Sequence, residues 1–222
     1  MGDRQAKDAL FDAFAEVAKA LASGRRAEII DVLAQGERSV EAIAEELGQS
    51  LANTSHHLRA LARAGLVRTR RDGTRIFYAL SSERVAALWA ALRDVAAEHV
   101  AGIERLAAAY LGDRAGLEAI SRQELAARMA LGDVVVLDVR PDAEYRAGHI
   151  PGARSVPPGE LRRSLAALTE GTEVVAYCRG PYCVYADEAV RELDRLGYRA
   201  RRLEDGYPEW KRAGLPVAAG QD

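Results

Sequence analysis

The chain has 222 residues, of which 49% are hydrophobic and 29% are charged, a balance typical of folded proteins and not of disordered ones. This length allows two domains of about 100 residues, each with its own core. No apolar run approaches the roughly 18 residues of a membrane span, and the charged N-terminus lacks a signal-peptide pattern, so we expect a cytoplasmic protein with no membrane partner.

The net charge of −2 conceals an uneven distribution along the chain. Residues 49–75 contain one acidic residue, Asp72, and six arginines, a local charge of +5. Contact with DNA phosphates requires a basic patch of this kind, although a basic cluster is often only a solvated surface. The six are Arg59, Arg63, Arg68, Arg70, Arg71 and Arg75.

The first elements along the chain are predicted to be helices. Apolar spacing predicts one helix over Asp8–Ala22 and a second that ends near Gly36. Ser39 is the predicted N-cap of a third helix, which Gly48 ends, and a fourth runs from residue 49 or 50 to about residue 64. Two short helices joined by a tight glycine-containing turn are typical of a helix-turn-helix.

The fourth helix has the composition of a recognition helix. Its opening residues, 49–57, are mostly short polar side chains, whereas Leu51, Leu58 and Leu61 supply an apolar stripe. A recognition helix docks through such a stripe and reaches base edges and phosphates from its N-terminal end. A polar surface helix is the alternative interpretation of the same pattern.

A basic β-hairpin is predicted next. Gly65 ends the helix, residues 66–70 and 75–80 have the composition of strands, and Asp72-Gly73 is the predicted turn. A basic hairpin directly after a recognition helix is expected to lie along the DNA backbone as a wing.

These segments resemble the ArsR/SmtB family of bacterial repressors over residues 7–111. The motifs that carry the resemblance are Ser39-Val40-Glu41-Ala42-Ile43-Ala44, Ser55-His56-His57-Leu58-Arg59-Ala60-Leu61, Gly65-Leu66-Val67 and Gly73-Thr74-Arg75-Ile76-Phe77-Tyr78. The resemblance implies a winged helix-turn-helix that binds double-stranded operator DNA. The residues implied to contact DNA are Ser50, Asn53, Thr54, Ser55, His57, Arg59, Arg68, Arg70, Arg71 and Arg75.

A single long helix is predicted over Ser82–Leu111, about 40 Å in length. Its apolar surface exceeds what a small winged helix covers, and the resemblance implies that it forms a homodimer interface together with the first helix. Packing against a second domain is the alternative. Two recognition helices about one DNA turn apart also require a dimer.

We expect no metal in this region. The third helix has no cysteine, and Asp94, Glu98, His99 and Glu104 lack the paired spacing of the family's metal-sensing sites. His56 and His57 are adjacent on a helix, so their side chains point about 100° apart.

After a short polar linker, residues 112–116, the pattern changes to alternating buried strands and helices. This alternation predicts an α/β domain with a parallel sheet and helices on both faces, with its site at the carboxyl ends of the strands. Strands are predicted over 134–138, 173–177 and 198–203, and helices over 121–130, 161–168 and 184–196.

The two cysteines of the chain, Cys178 and Cys183, lie in one loop between a strand and a helix. In a reducing compartment such a pair is more often catalytic, metal-binding or redox-sensing than structural. Loop N–H groups and the helix N-terminus lower the pKa of a thiol, so we expect Cys178 to be largely thiolate, with Arg179 strengthening the field.

The loop, which also contains Gly180, Pro181 and Tyr182, resembles the active site of rhodanese sulfurtransferases. The motifs Leu137-Asp138-Val139-Arg140-Pro141-Asp142-Ala143-Glu144-Tyr145, Gly148-His149-Ile150-Pro151-Gly152-Ala153 and Gly206-Tyr207-Pro208-Glu209-Trp210 are similar to that family's flanking motifs. The resemblance implies that Cys178 accepts a sulfane sulfur as a persulfide. It also implies that Asp138, Arg140 and His149 form a framework around the loop.

The end of the loop departs from the family pattern. Cys183-Val184 stands where many rhodaneses have Arg, Lys or Thr followed by Ser, which disfavours turnover of thiosulfate and the oxyanion chemistry of phosphatases and arsenate reductases. A curled loop would let Cys183 attack a persulfide or sulfenate on Cys178, whereas the plainer interpretation makes Cys183 a small residue filling the first helical turn.

Three functions are consistent with these patterns. The first is a dimeric repressor, over residues 1–111, whose domain at 117–222 senses a small sulfur donor or an oxidant through Cys178 with Cys183 as the resolving thiol. The second is a thiosulfate or persulfide sulfurtransferase with an autoregulatory DNA-binding domain. The third is a sensor of a thiophilic metalloid such as arsenite, which two thiols serve less well than the larger sets that soft metals generally use. None of the patterns predicts a cofactor.

Overall fold

The computed structural model describes residues 3–164 and 171–220. The chain divides into two compact units, Met1–Val95 and Ala96–Asp222. The helix Glu83–His99 crosses this division, and the domain boundaries expected at residues 111 and 117 stay a prediction.

The first unit is a helical domain with a small antiparallel sheet. Ser39 and Ser50 are helix N-caps whose side chains accept hydrogen bonds from the N–H groups of Ala42 and Asn53. Three strands pair in the order β1-β3-β2, which completes the predicted winged helix-turn-helix. The elements are α1 (Arg4–Leu21), α2 (Gly24–Leu33), β1 (Arg38–Ser39), α3 (Val40–Glu46), α4 (Leu51–Arg63), β2 (Val67–Asp72), β3 (Arg75–Leu80) and α5 (Glu83–His99).

The wing turn lies one residue later than predicted. Asp72 pairs with Arg75, so Gly73 and Thr74 form the turn. Gly73 has a φ of 59°, a conformation that residues with a Cβ rarely adopt. The core beneath this hairpin contains the fully buried residues Ile29, Ile30, Ile43, Leu58 and Leu61.

The prediction of one continuous helix over Ser82–Leu111 is wrong. Two helices occupy this segment, α5 and α6 (Ile103–Leu111). Gly102 separates them as the N-cap of α6 with a φ of 91°, outside the helical region of the backbone. The apolar residues keep helical spacing on both sides of Gly102, so this spacing alone did not reveal the break between the two helices.

The second unit contains a five-stranded sheet in the order β4-β8-β7-β5-β6, and all of its pairings are parallel. Its remaining elements are β4 (Ala119–Ile120), α7 (Arg122–Leu131), β5 (Val134–Asp138), α8 (Asp142–Ala147), β6 (Arg154–Ser155), α9 (Leu161–Ser164), β7 (Glu173–Cys178), α10 (Val184–Arg195), β8 (Arg199–Gly206) and α11 (Tyr207–Arg212). Of the helix predicted over 161–168, the last four residues lie outside the described part of the chain.

Helices cover both faces of this sheet, as predicted. Alternate residues of β7 belong to two separate cores: Val174, Ala176 and Cys178 pack with residues of α10, whereas Val175 and Tyr177 pack with residues of α7 and α11. Strand β8 runs three residues further than predicted, so that Gly206 pairs with Cys178. Within the described residues, no helix has the length and apolar character needed to cross a membrane.

Candidate functional site

The loop that follows β7 brings the two cysteines together. Cys178 is the last residue of β7 and is 1% exposed, and Cys183 precedes the first residue of α10. The two residues form a disulfide, with Cα atoms 6.2 Å apart, inside the range that a disulfide bridges. Between them, Gly180, Pro181 and Tyr182 are half-buried. The loop therefore places one thiol within bonding reach of the other.

The N-terminus of α10 points its first N–H groups toward this loop. Cys183 is the N-cap of this 12-residue helix and provides no side-chain cap, in contrast to Ser39 and Ser50. Uncapped N–H groups carry partial positive charge and favour an anion. When the disulfide is reduced, this end of the helix favours the thiolate form of the loop cysteines.

Arg179 does not contribute an uncompensated charge to the loop. Its guanidinium group donates to both carboxylate oxygens of Glu144, at 2.6 to 3.2 Å, and the Glu144 side chain is fully buried. The same guanidinium lies 5.6 Å from the ring centroid of Tyr185. The positive field expected of Arg179 is therefore largely cancelled by Glu144.

A cluster of three charged side chains adjoins the loop. Asp187, on α10, is completely buried between the guanidinium groups of Arg114, at 2.5 Å, and Arg202, at 3.7 Å. One carboxylate with two guanidinium groups leaves a net charge of +1. Burial and the nearby charge of Arg114 lower the pKa of Arg202. We expect this cluster, which the sequence patterns did not identify, to support the anionic form of the loop.

Gly206 is a further residue whose role at the site the sequence patterns did not identify. A Cβ atom at this position would lie 2.2 Å from the backbone nitrogen of Gly180. The absence of a side chain thus lets the end of β8 pack directly against the loop, and the N–H of Gly206 donates to the Glu209 carboxylate at 3.1 Å where the chain turns into α11. The signal available in the sequence was the glycine that opens the Gly206-Tyr207-Pro208-Glu209-Trp210 motif.

Asp138, Arg140 and His149 are all fully buried at one edge of the site. Arg140 donates to the Asp138 carboxylate at 2.5 Å and to the Gly148 carbonyl at 2.7 Å. His149 stacks on Tyr145 with ring centroids 3.8 Å apart, and its Nδ1 is 2.9 Å from the Tyr145 carbonyl oxygen. These contacts fix the segment after α8.

Tyr177 joins this framework to the strand that carries Cys178. Its hydroxyl donates to Asp138 at 2.5 Å and accepts from the N–H of Ile150 at 3.1 Å. Burial and the negative charge of Asp138 raise the pKa of Tyr177 well above its ordinary value. The hydroxyl therefore stays protonated at neutral pH and keeps both hydrogen bonds.

On the recognition helix, α4, the structure corrects one expected DNA contact. Thr54 is fully buried beside Leu58 and Leu61 in the domain core, so its side chain does not face DNA. Position 54 precedes these leucines by four and seven residues, the spacing of one helical face. Ser50, Asn53 and Arg59 are exposed and Ser55 is half-buried.

His57, also expected to contact DNA, is half-buried. Its Nδ1 is buried without a hydrogen-bond partner among the described residues. Desolvation, together with His56 and Arg26, lowers the pKa of His57. We therefore expect a neutral ring near pH 7, suited to hydrogen bonding but not to charge pairing with phosphate.

The four wing arginines are exposed but differ in their partners. Arg71 and Arg75, on opposite strands, are in no ion pair with any described residue. Arg68 donates to the Leu80 carbonyl at 3.3 Å. Arg70 instead pairs with Glu37 at 2.6 Å and Asp72 at 3.2 Å, and these bonds raise its pKa. The charge of Arg70 is thus already compensated within the domain.

This pairing leads to a prediction for the variant Glu37→Gln. Removing the carboxylate leaves Arg70 only its longer, exposed pair with Asp72, which a phosphate can displace. We therefore expect operator affinity to rise several-fold and the slope of log K against log salt to steepen by about 0.9. Fluorescence anisotropy across a salt series measures both. Glu45→Gln, which removes an exposed charge of α3 outside this pair, is the matched control. Equal slopes for the two variants would contradict the prediction.

Helices α1 and α5 leave large apolar side chains exposed. Six of these side chains are more than 40% exposed, and Phe11 and Phe14 reach 60% and 61%. Apolar surface of this extent on two helices marks an interaction face. The residues, called the apolar face below, are Leu10, Phe11, Phe14, Leu88, Leu92 and Val95.

Comparison with known families agrees with both parts of the site. Residues 23–69 match the model of the bacterial regulatory proteins of the arsR family, and residues 121–213 match the rhodanese-like domain. The HTH-type transcriptional regulator Rv0324 of Mycobacterium tuberculosis is 50% identical over 219 residues, 99% of this chain and 96% of the relative. A sulfurtransferase of Allochromatium vinosum is 33% identical over 102 residues, 45% of this chain and 94% of its own.

Solved structures resemble each half separately. A homodimeric winged helix-turn-helix DNA-binding domain from Mycobacterium bovis is 52% identical, with a TM-score of 0.42, and covers 45% of this chain and 91% of its own. A rhodanese-related protein from Thermoplasma volcanium is 27% identical, with a TM-score of 0.41, and covers 46% of this chain and 97% of its own.

Proposed function

The chain belongs to the ArsR family of helix-turn-helix transcriptional regulators, in a group that carries a C-terminal rhodanese-like domain, and on this basis we propose that it is a sulfur-responsive repressor. The observation that carries the proposal is the Cys178–Cys183 pair, closed across the rhodanese loop. A loop used only for repeated sulfur transfer needs one cysteine. A second thiol within bonding reach of the first converts a transfer event into a lasting change of state.

The proposed chemistry has two steps. The Cys178 thiolate attacks the sulfane sulfur of a small persulfide donor, forming a new S–S bond and expelling the donor as a thiolate. The Cys183 thiolate then attacks Sγ of Cys178, forming the intramolecular disulfide and expelling hydrosulfide. Two protein thiols are oxidised and one sulfane sulfur is reduced to sulfide, so no further oxidant is needed.

The DNA-binding form is proposed to be a homodimer held through the apolar face on α1 and α5. Burying these exposed side chains against a second copy removes apolar surface from water. A two-fold dimer also places two recognition helices on half-sites about one DNA turn apart. Arg59, Arg71 and Arg75 supply exposed cations for the phosphates of double-stranded DNA.

The proposal is tested by operator affinity in the two states of the thiol pair. The operator is selected from a random duplex library, and fluorescence anisotropy is measured with dithiol protein and with protein treated with a small alkyl persulfide. Because allosteric couplings are typically on the order of 5- to 150-fold, we expect affinities about tenfold apart, restored by dithiothreitol. Equal affinities would refute the proposal, and a response to peroxide alone would make the signal an oxidant.

A second candidate, sulfurtransferase activity, is favoured by the likeness of the C-terminal half to the Allochromatium sulfurtransferase. In that case an external thiol, and not Cys183, takes the sulfur from Cys178. Steady-state sulfide release with excess persulfide and thiol, compared between wild type and Cys183→Ser, separates the two functions, because excess thiol also reopens the disulfide of the wild-type protein. Many turnovers per Cys178 in Cys183→Ser support the enzyme, whereas sulfide release that requires Cys183 supports the sensor.

A further inference from the structure

The loop that holds the two cysteines is bound by Arg114, a residue of the segment predicted to be a linker. Arg114 donates from Nε to Asp187 at 2.5 Å, from Nη1 to the Pro181 carbonyl at 2.9 Å and from Nη2 to the Cys183 carbonyl at 3.4 Å. A guanidinium group is the only side chain that presents donors in a fork able to make all three bonds. A segment predicted to be a linker is therefore docked on the reactive loop.

The ion pair between Arg114 and Asp187 is largely buried. The Arg114 side chain is 23% exposed and Asp187 is fully buried, so this ion pair is poorly screened by solvent. A second bond, from Arg191 of α10 to the Asp113 carbonyl at 2.7 Å, holds the neighbouring residue. The linker is thus attached to α10 at two consecutive residues.

Both loop carbonyls that Arg114 binds belong to the segment that the Cys178–Cys183 disulfide closes. One belongs to Cys183 itself and the other to Pro181, two residues earlier in the same loop. Opening the disulfide, or placing an extra sulfur on Cys178, releases the constraint that holds residues 178 and 183 together. The carbonyl oxygens of Pro181 and Cys183 are then free to move away from the guanidinium group of Arg114.

Resting on the proposed function, we infer that Arg114 is the positioning residue that couples the state of the Cys178–Cys183 pair to the chain segment leading from the DNA-binding helices. Arg114 follows α6 by three residues, and α6 follows α5 after Gly102. A change in the loop reaches this segment through the three bonds of Arg114. Coupling is reciprocal, so operator DNA must shift the dithiol–disulfide equilibrium by the same factor.

The test uses full-length wild type and the variants Arg114→Ala, Arg114→Lys and Arg195→Ala. Arg195 lies on α10, the helix that carries Asp187, and is 70% exposed. Within the described residues it pairs only with Glu192, which makes it the matched control. Operator affinity is measured for the dithiol and disulfide forms, and the dithiol–disulfide equilibrium is measured in glutathione buffers with and without operator. A tenfold effect of redox state corresponds to about 30 mV in the reduction potential.

We expect Arg114→Ala to bind operator like wild type in the dithiol form. Because it loses one cation of the Asp187 cluster, it should close its disulfide more slowly, and the closed form should then show no affinity difference from the dithiol form. The shift of the reduction potential by operator should disappear with it, while Arg195→Ala keeps both. Arg114→Lys retains a cation beside Asp187 without the fork, so it should also lose the coupling even if the alanine variant misfolds.

A coupling that persists in Arg114→Ala or Arg114→Lys, with wild type responding, overturns the inference and leaves the proposed function intact. If wild type itself shows no affinity difference, the proposed function fails and the inference fails with it. The Arg114 variants therefore test the coupling through Arg114, and the wild-type protein tests the proposed function.

Discussion

Replacing Cys178 with serine should abolish both the uptake of sulfur by the protein and the response of operator binding to persulfide. A serine hydroxyl is not ionised at neutral pH and does not form a stable bond to sulfane sulfur. Cys178→Ser is therefore expected to keep the operator affinity of the untreated protein at every donor concentration. Intact mass spectrometry and fluorescence anisotropy measure the two losses.

Cys183→Ser should separate the two chemical steps. Cys178 remains able to accept sulfur, so this variant is expected to gain the mass of one sulfur atom and keep it, because no second thiol expels the hydrosulfide. Alkylation after treatment would trap the persulfide on Cys178.

A Cys178→Ser protein that still loses or gains operator affinity with donor would contradict the assignment, since Cys183 is the one thiol left in the chain.

Replacing Arg140 with methionine should destabilise the rhodanese-like unit by about 3–5 kcal/mol, because the Asp138 carboxylate is left buried without its cation. Both side chains are fully buried, and Arg140 also donates to the Gly148 carbonyl. Urea unfolding followed through Trp210, in a Trp89→Phe background, reports this unit, since these are the two tryptophans of the chain.

The control for Arg140→Met removes both charges together. The double variant Asp138→Leu/Arg140→Met leaves no buried charge, so it should regain part of the lost free energy of unfolding. Tyr177 and Gly148 lose hydrogen-bond partners in it, which keeps the recovery incomplete. A single variant that costs less than about 1 kcal/mol, the range of an exposed pair, would contradict a structural role for the pair.

Local patterns in the sequence were sufficient for the architecture. Apolar periodicity and the N-cap Ser39 placed the first four helices, and the strand at Val134–Asp138 was predicted with its observed bounds. The cysteine loop was located by its position between a strand and a helix. In each case the determining residues are close together along the chain.

The charge pairing of the site depends on contacts between distant residues, which local patterns do not reveal. Arg114 is 73 residues from Asp187, Arg179 is 35 from Glu144, and Arg70 is 33 from Glu37. The sequence therefore shows each arginine as a cation, while the structure shows its charge compensated. Thr54 is a similar case, because its short polar side chain suggested a contact surface although its helical phase buries it.

Closure of the Cys178–Cys183 disulfide is expected to change operator binding. The most direct measurement is intact mass spectrometry and operator anisotropy on the same sample, at several points of a persulfide titration. The fraction of protein that has lost two hydrogens to the disulfide should equal the fraction with altered operator affinity. Complete conversion to the disulfide with unchanged affinity would contradict it.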